Sequence, residues 1–277
     1  MIACDLDGTL LDRRAAIRPR SARLLGDLAA MGLIVVLATG RSWRTAVKIQ
    51  RQIGLAGPII AHNGACVFDP ATGQELYRRG IPFQTARSMV SWADPRRIML
   101  RCYLGYDRPV LFNRFDAPHQ LCWLRPEDRL APALAHTLRE DPVEVFLSGR
   151  HEVDAFIHRF GLTGPDYELT VFPHPGYREV NICAPRVDKV EALEALTHRY
   201  RIASDEVLAL GDGLNDVNML QWAGVGIAIG DGPAAARTAG AYVTPAGDDE
   251  PVYSGLSWAI VAGLLPNPEA FNLLRPV

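Results

Sequence analysis

The stretch LIVVLATGRS, residues 33–42, begins with six apolar residues and ends with small polar ones. A continuous apolar run of this length fits a strand buried on both faces, as in parallel sheets covered by helices. A strand with one wet face would alternate instead. The flanking sequence repeats the pattern. Residues 2–6 predict a short strand, and Ala22, Leu25, Leu28 and Ala29 form a helical stripe ending at Gly32. A helix is predicted over 42–53, stopped by Gly54, and a third strand over 58–61 (PIIA). Strand, helix, strand, helix, strand predicts a Rossmann-like, doubly wound α/β sheet.

The rhythm then changes. CVFD and ELYR flank PATG, the signature of a hairpin. Alternating stretches follow (RIMLRCYL, RPVLFNRF, VEVFLS, YELTVFP and REVNIC), with polar helical stretches near 84–93, 127–139 and 151–160. This pattern is α+β and more antiparallel. It predicts a second domain over 81–183 inserted into a core made of 1–80 and 184–277. From Pro185 the α/β rhythm returns: a helix lined by Val190, Leu193, Leu196 and Tyr200, a buried strand VLAL (207–210), and a short helix over 215–222. Strands at GVGIAIG and AYVT (241–244) and a closing helix over 251–264 complete it.

Composition narrows the function. With 48% hydrophobic and 22% charged residues and a net charge of −2, the chain has the balance of a soluble globular protein without a strong polyanion field. Its cations form no basic stripe, so nucleic acid is not expected as a partner. No apolar run approaches the ~18 residues of a membrane span, so no membrane association is expected. The N-terminus has neither a basic segment nor an apolar one of the secretory kind. Five cysteines (Cys4, Cys66, Cys102, Cys122 and Cys183) are odd in number and widely spaced, which fits reduced thiols and a cytoplasmic protein.

Four clusters can carry chemistry. Asp5 and Asp7 in DLDGTLLD (5–12) follow an apolar run, and in an extended strand i and i+2 share a face. Two such carboxylates repel unless a cation or proton lies between them, and a hard ion such as Mg²⁺ suits oxygen ligands. A calcium loop starting at Asp5 would need Gly where Leu10 stands and Glu where Ala16 stands, and so fails. A nucleotide-sugar DxD, or plain polar strand termination, stays open on this stretch alone. The second cluster, GDGLNDVNML (211–220), puts Asp212 at another strand end, with Asn215 and Asp216 at a helix start. A turn with an N-cap accounts for much of it, but not for Asp212. In ATGRS (38–42), Thr39 and the N–H of Gly40 can grip phosphate oxygens, although an ordinary loop capped by Ser42 reads equally well. The fourth is Lys189. Of the 29 Lys and Arg residues only Lys48 and Lys189 are lysine, so a lysine here points to a compact point charge rather than a routine surface cation.

In this order, DLDGTLLD, ATGRS, Lys189 and GDGLNDVNML resemble the four motifs of the haloacid dehalogenase-like (HAD) phosphohydrolases. The place of the insertion resembles the C2 cap class, and AHNGACVFD (61–69) is similar to the hairpin of its C2B, or Cof-type, subfamily. The resemblance covers the core and implies an α/β HAD fold with an α+β cap. It implies that Asp5 is the nucleophile and Asp7 the general acid and base. Mg²⁺ would be held by Asp5, Asp7 through its backbone carbonyl, Asp212 and Asp216. Thr39, Gly40, Lys189 and Asn215 would bind phosphate, with Arg41 and Asn63 near the leaving group. Val190 after the lysine and Asp231 in IAIGDGPAAA depart from the family pattern, and the four residues before Asp5 leave room for an upstream start.

The implied activity is a Mg²⁺-dependent phosphatase that hydrolyses phosphomonoesters of small metabolites, sugar phosphates first, through an aspartyl-phosphate. A phosphotransferase or mutase on the same core is an alternative that a C2 cap disfavours. A non-catalytic phospho-acceptor or ligand sensor is another, and it has no need of Asp7. Specificity is expected in the cap, with Arg178, Glu179 and Asn181 as polar possibilities near its return strand. The implied partner is a small phosphorylated metabolite, and either a monomer or a homodimer is compatible.

Overall fold

Every residue of β1 (Ile2–Cys4) is buried, and so is every residue of β2 (Val35–Ala38), as expected of strands covered on both faces. The computed structural model to which they belong describes residues 1–114, 126–268 and 270. Between the two strands runs α1 (Pro19–Ala30), whose Leu24, Leu25 and Leu28 face inward. Burying each such leucine is worth about 1.5–3 kcal/mol. The α1 N-cap residue, Arg18, makes no side-chain cap. Instead the Glu250 carboxylate accepts from Arg20 N (3.0 Å), Ser21 N (2.9 Å) and Ser21 Oγ (2.6 Å), satisfying free amides of the first turn from across the sequence. Next come α2 (Trp43–Gln52), β3 (Ile59–Ala61), β4 (Cys66–Asp69) and β5 (Gln74–Arg78).

The chain then forms a separate unit, Arg78–Val187, before returning to the first. The sequence placed the junctions at 80/81 and 183/184; the units change at 77/78 and 187/188. This second unit comprises α3 (Phe83–Ala93), β6 (Arg101–Tyr103), β7 (Val110–Phe112), β8 (Arg129–Leu130), α4 (Leu134–Thr137), β9 (Glu144–Gly149), α5 (His151–Phe160), β10 (Thr163–Gly164), β11 (Tyr167–His174) and β12 (Tyr177–Cys183). The sheet order is β10-β11-β12-β9-β6-β7-β8, antiparallel except for β7 with β8. Its apolar core includes Met89, Val90, Val145, Leu147, Phe156, Val180 and Ile182, and Trp92 meets Phe156 edge-on at 5.8 Å. The helix expected near 127–139 is largely absent. Pro132 has no N–H to give and turns Ala131 away from the helical region. Ala131 N instead donates to Phe112 O at 2.8 Å, extending the strand pairing, and only one helical turn follows.

Back in the first unit come α6 (Lys189–Tyr200), β13 (Leu208–Gly211), α7 (Val217–Trp222), β14 (Val225–Ala228), α8 (Ala234–Ala239), β15 (Tyr242–Val243) and α9 (Pro251–Val261). The sequence reading had no helix at α8. Among the described residues this sheet has eight strands in the order β15-β14-β13-β1-β2-β3-β4-β5. The pairs from β15 to β3 are parallel, and β4 runs antiparallel to β3. Because β1 lies between β13 and β2, the chain order reverses there, and ligands of such sheets bind at the carboxyl ends beside that reversal. Among the described residues Cys4, Cys66 and Cys102 are buried and Cys183 is half-buried, none of them in a disulfide; Cys122 lies outside the described residues. Among those residues no helix is long and apolar enough to cross a membrane.

Candidate active site

The strand expected over 2–6 stops at Cys4. Asp5 N still donates to Leu210 O of β13 (3.0 Å), but Leu10 N folds back on Asp5 O and Leu11 N on Leu6 O. Asp5 and Asp7 therefore do not share one extended strand face, which corrects the sequence reading. The tight turn between them separates their environments: Asp5 is 4% exposed, whereas the Asp7 side chain is 54% exposed. Gly8 makes the turn possible. Its φ is +80°, and a Cβ there would lie 2.2 Å from Asp212 Oδ2.

Asp212 follows β13 as Asp5 follows β1. Its Oδ1 accepts from Thr9 Oγ1 at 2.8 Å. Burial pushes its carboxyl up to about 6, the Thr9 bond opposes this, and the Asp216 charge adds to it. Asp216 is fully buried. Its Oδ2 accepts from Asp212 N (3.1 Å) and Gly213 N (2.8 Å), and its Oδ1 from Lys189 Nζ (2.6 Å). The same ammonium donates to Asp5 Oδ1 at 2.6 Å. Lys189 is the first residue of α6, a position where the helix dipole opposes a cation. Burial also works against its charge, yet Asp216 and Asp5 outweigh both, and the ammonium is held more firmly than usual. Asp5 is pushed up by burial and by Asp216, while Lys189 pulls the other way.

One ligand oxygen from each of Asp5, Asp212 and Asp216 lies within 4.8 Å of the others. Fully ionised, three carboxylates against one ammonium leave an excess of two negative charges. An all-oxygen donor set with that excess fits a hard divalent cation such as Mg²⁺. The structure groups these three and not the Asp7 carboxylate.

Of the other predicted residues, those of the first unit follow its neighbouring strands. Thr39 follows β2, is buried, and its Oγ1 accepts from Arg41 N (3.0 Å), leaving the hydroxyl hydrogen to donate. Arg41 grips Asp7 with two bonds, Nε to Oδ2 at 2.7 Å and Nη2 to Oδ1 at 2.5 Å. Asn63, after β3, accepts from Asn215 Nδ2 at 3.1 Å. Of the second-unit residues, Arg178 bonds to the Asp154 carboxylate and to Arg150 O (3.3 Å) beside α5, Glu179 faces His174 (3.3 Å), and Asn181 donates to Glu144 (3.3 Å). Thr9 was missed: in DGT it passes for a turn residue. Asp188 was missed too; it caps α6 through Val190 N (2.7 Å) and accepts from Asn218 (2.6 Å).

A family model described as haloacid dehalogenase-like hydrolase matches residues 2–125 and 150–256. The chloroplastic endoribonuclease YBEY of Arabidopsis thaliana is 27% identical over 247 residues, 83% of this chain but 41% of that protein. The chain thus spans less than half the length of that relative. A 5-amino-6-(5-phospho-D-ribitylamino)uracil phosphatase of Bacillus subtilis is 25% identical over 264 residues, covering 91% of this chain and 94% of that one. The solved structure of a haloacid dehalogenase-like hydrolase from Bacteroides thetaiotaomicron has a TM-score of 0.76 at 21% identity, covering 93% of this chain and 98% of that chain.

Proposed function

Because the chain belongs to the haloacid dehalogenase-like hydrolases, we propose that it is a Mg²⁺-dependent phosphatase acting on phosphomonoesters of small metabolites. One observation carries the reading: a buried lysine shared at 2.6 Å by Asp5 and Asp216, with the Asp212 carboxylate alongside. A structural ion pair needs one carboxylate; the surplus suits a cation and a transferring phosphoryl group. The Bacillus subtilis relative, named for a phosphorylated ribityl compound, supports a polyol or sugar phosphate as the organic part.

In the proposed mechanism, an Asp5 carboxylate oxygen attacks phosphorus in line. The bond from phosphorus to the leaving oxygen breaks, giving an aspartyl-phosphate. Asp7 gives the leaving oxygen its proton, then takes one from the water that attacks phosphorus and releases Asp5. The half-exposed Asp7 must first turn away from the Arg41 guanidinium that holds it by two bonds. The freed guanidinium then lies near the leaving group. Thr39, the N–H of Gly40, Asn215 and Lys189 hold the phosphoryl oxygens. Asp5, Asp212, Asp216 and the Asp7 carbonyl would hold Mg²⁺, which supplies charge neutralisation for the two anions that must meet.

The test is hydrolysis of p-nitrophenyl phosphate with Mg²⁺, with chelator, and by Asp5→Asn. Turnover is expected to vanish in the last two. Activity that survives either one sinks the mechanism.

A further inference from the structure

Three consecutive residues, His62, Asn63 and Gly64, have φ of 52°, 57° and 109°. A run of left-handed residues is disfavoured wherever a Cβ is present, and it persists only where its surroundings impose it. Here they do. His62 N donates to Arg41 O (3.0 Å) and Asn63 N to Thr39 O (3.1 Å), which binds the turn to the ATGR loop. A Cβ on Gly64 would stand 2.2 Å from Asp188 O and 3.0 Å from Lys189 N, so the turn also abuts the start of α6. The side chain of Asn63 makes the third link. Its Oδ1 accepts from Asn215 Nδ2 at 3.1 Å, and a Cβ on Gly40 would lie 2.7 Å from that same oxygen.

One amide thus touches the Gly40 loop and the Asn215 turn together, two segments 175 residues apart in the chain (215 − 40). We propose that Asn63 is a positioning residue: it holds Asn215 and Gly40 at the spacing that a phosphoryl group requires, rather than contacting the leaving group as its sequence suggested. The inference rests on the proposed phosphoryl-binding role of Gly40 and Asn215. Asparagine suits the post on two counts. It tolerates the left-handed backbone, and it offers an acceptor without placing a charge beside phosphate.

Inorganic phosphate is the probe, because it has no leaving group. Asn63→Gly keeps the left-handed backbone accessible and removes only the amide. In an otherwise wild-type chain this change is expected to weaken inhibition by phosphate about tenfold, and to raise KM alike for substrates with different leaving groups. In an Asn215→Ala background it is expected to weaken phosphate inhibition clearly less than in the otherwise wild-type chain, since only the approach to Gly40 is then left to lose. Equal losses in both backgrounds would overturn the proposal. So would losses that follow the leaving group while phosphate inhibition holds, or a lower melting temperature with phosphate inhibition unchanged. Should the wild-type protein neither hydrolyse p-nitrophenyl phosphate nor be stabilised by phosphate, the phosphoryl-binding reading itself fails and takes this inference with it.

Discussion

The two units bury charge in different ways. In the second unit, Arg101 and Glu144 are buried at the first positions of the paired strands β6 and β9, and Tyr103 feels both. Among the described residues one cation and one anion are buried there, and the guanidinium lies 5.7 Å from the Phe146 ring. In the first unit Asp5 and Asp212 stand just beyond strand ends, and Asp5 and Asp216 share one ammonium with the Asp212 carboxylate alongside. One buried cation with one buried anion is a packing solution. Unbalanced charge at the carboxyl ends of parallel strands has no such explanation, because each unpaired buried carboxylate is costly. Under the proposed function, this imbalance is where a cation and a phosphoryl group would bind.

Removing the single cation should break the contrast most severely. Lys189→Ala leaves Asp5 and Asp216 facing each other, and in chelator its unfolding free energy in urea should fall by about 3–5 kcal/mol. A loss under about 1 kcal/mol would mean that the carboxylates are not jointly charged. Thr9→Val keeps shape but removes the hydroxyl from Asp212. Calorimetry should show Mg²⁺ bound about 10–100-fold more weakly, as when an outer partner of a metal ligand is lost. Unchanged affinity would leave Thr9 a turn residue only.

Proton and metal should compete in this unit. Asp212 is held at about 6 against an ordinary 3.8, and Asp5 is also raised. The folded state then binds more protons than the unfolded chain between those values. Metal-free stability therefore falls as pH rises through that window. Mg²⁺ should raise the melting temperature more at about pH 7.5 than at about pH 5, and an equal rise at both would contradict the shared anionic site. The smallest effect belongs to the second unit. Arg178 and Asp154 are 31% and 61% exposed, and Arg178→Ala should change stability by no more than about 1 kcal/mol, with Mg²⁺-dependent turnover of p-nitrophenyl phosphate unaltered. A large loss of turnover would return Arg178 to the site.

The same contrast explains what could be read from the chain. LIVVLA reports burial on both faces directly, and the polar residue after such a run falls at a strand end, which located Asp5 and Asp212. The bond from Thr9 to Asp212 spans 203 residues, and nothing local to DGT announces it. The pairing of Arg41 with Asp7 was likewise hidden, since it depends on the turn after Cys4 that no periodicity encodes. In the second unit, alternation shows that a strand exists but not what its polar face meets. Arg178, Glu179 and Asn181 look alike in sequence, yet they have three different partners. Near 127–139, one proline outweighed an otherwise helical composition.

The most direct test of the central claim is to trap the phosphoryl group. Asp7→Asn should react with p-nitrophenyl phosphate, whose leaving group needs little help from an acid, but lacks the base that frees Asp5. After rapid acid quench, mass spectrometry should find one added phosphoryl group on the peptide that carries Asp5. No adduct while turnover continues, or an adduct on any other residue, would contradict the account.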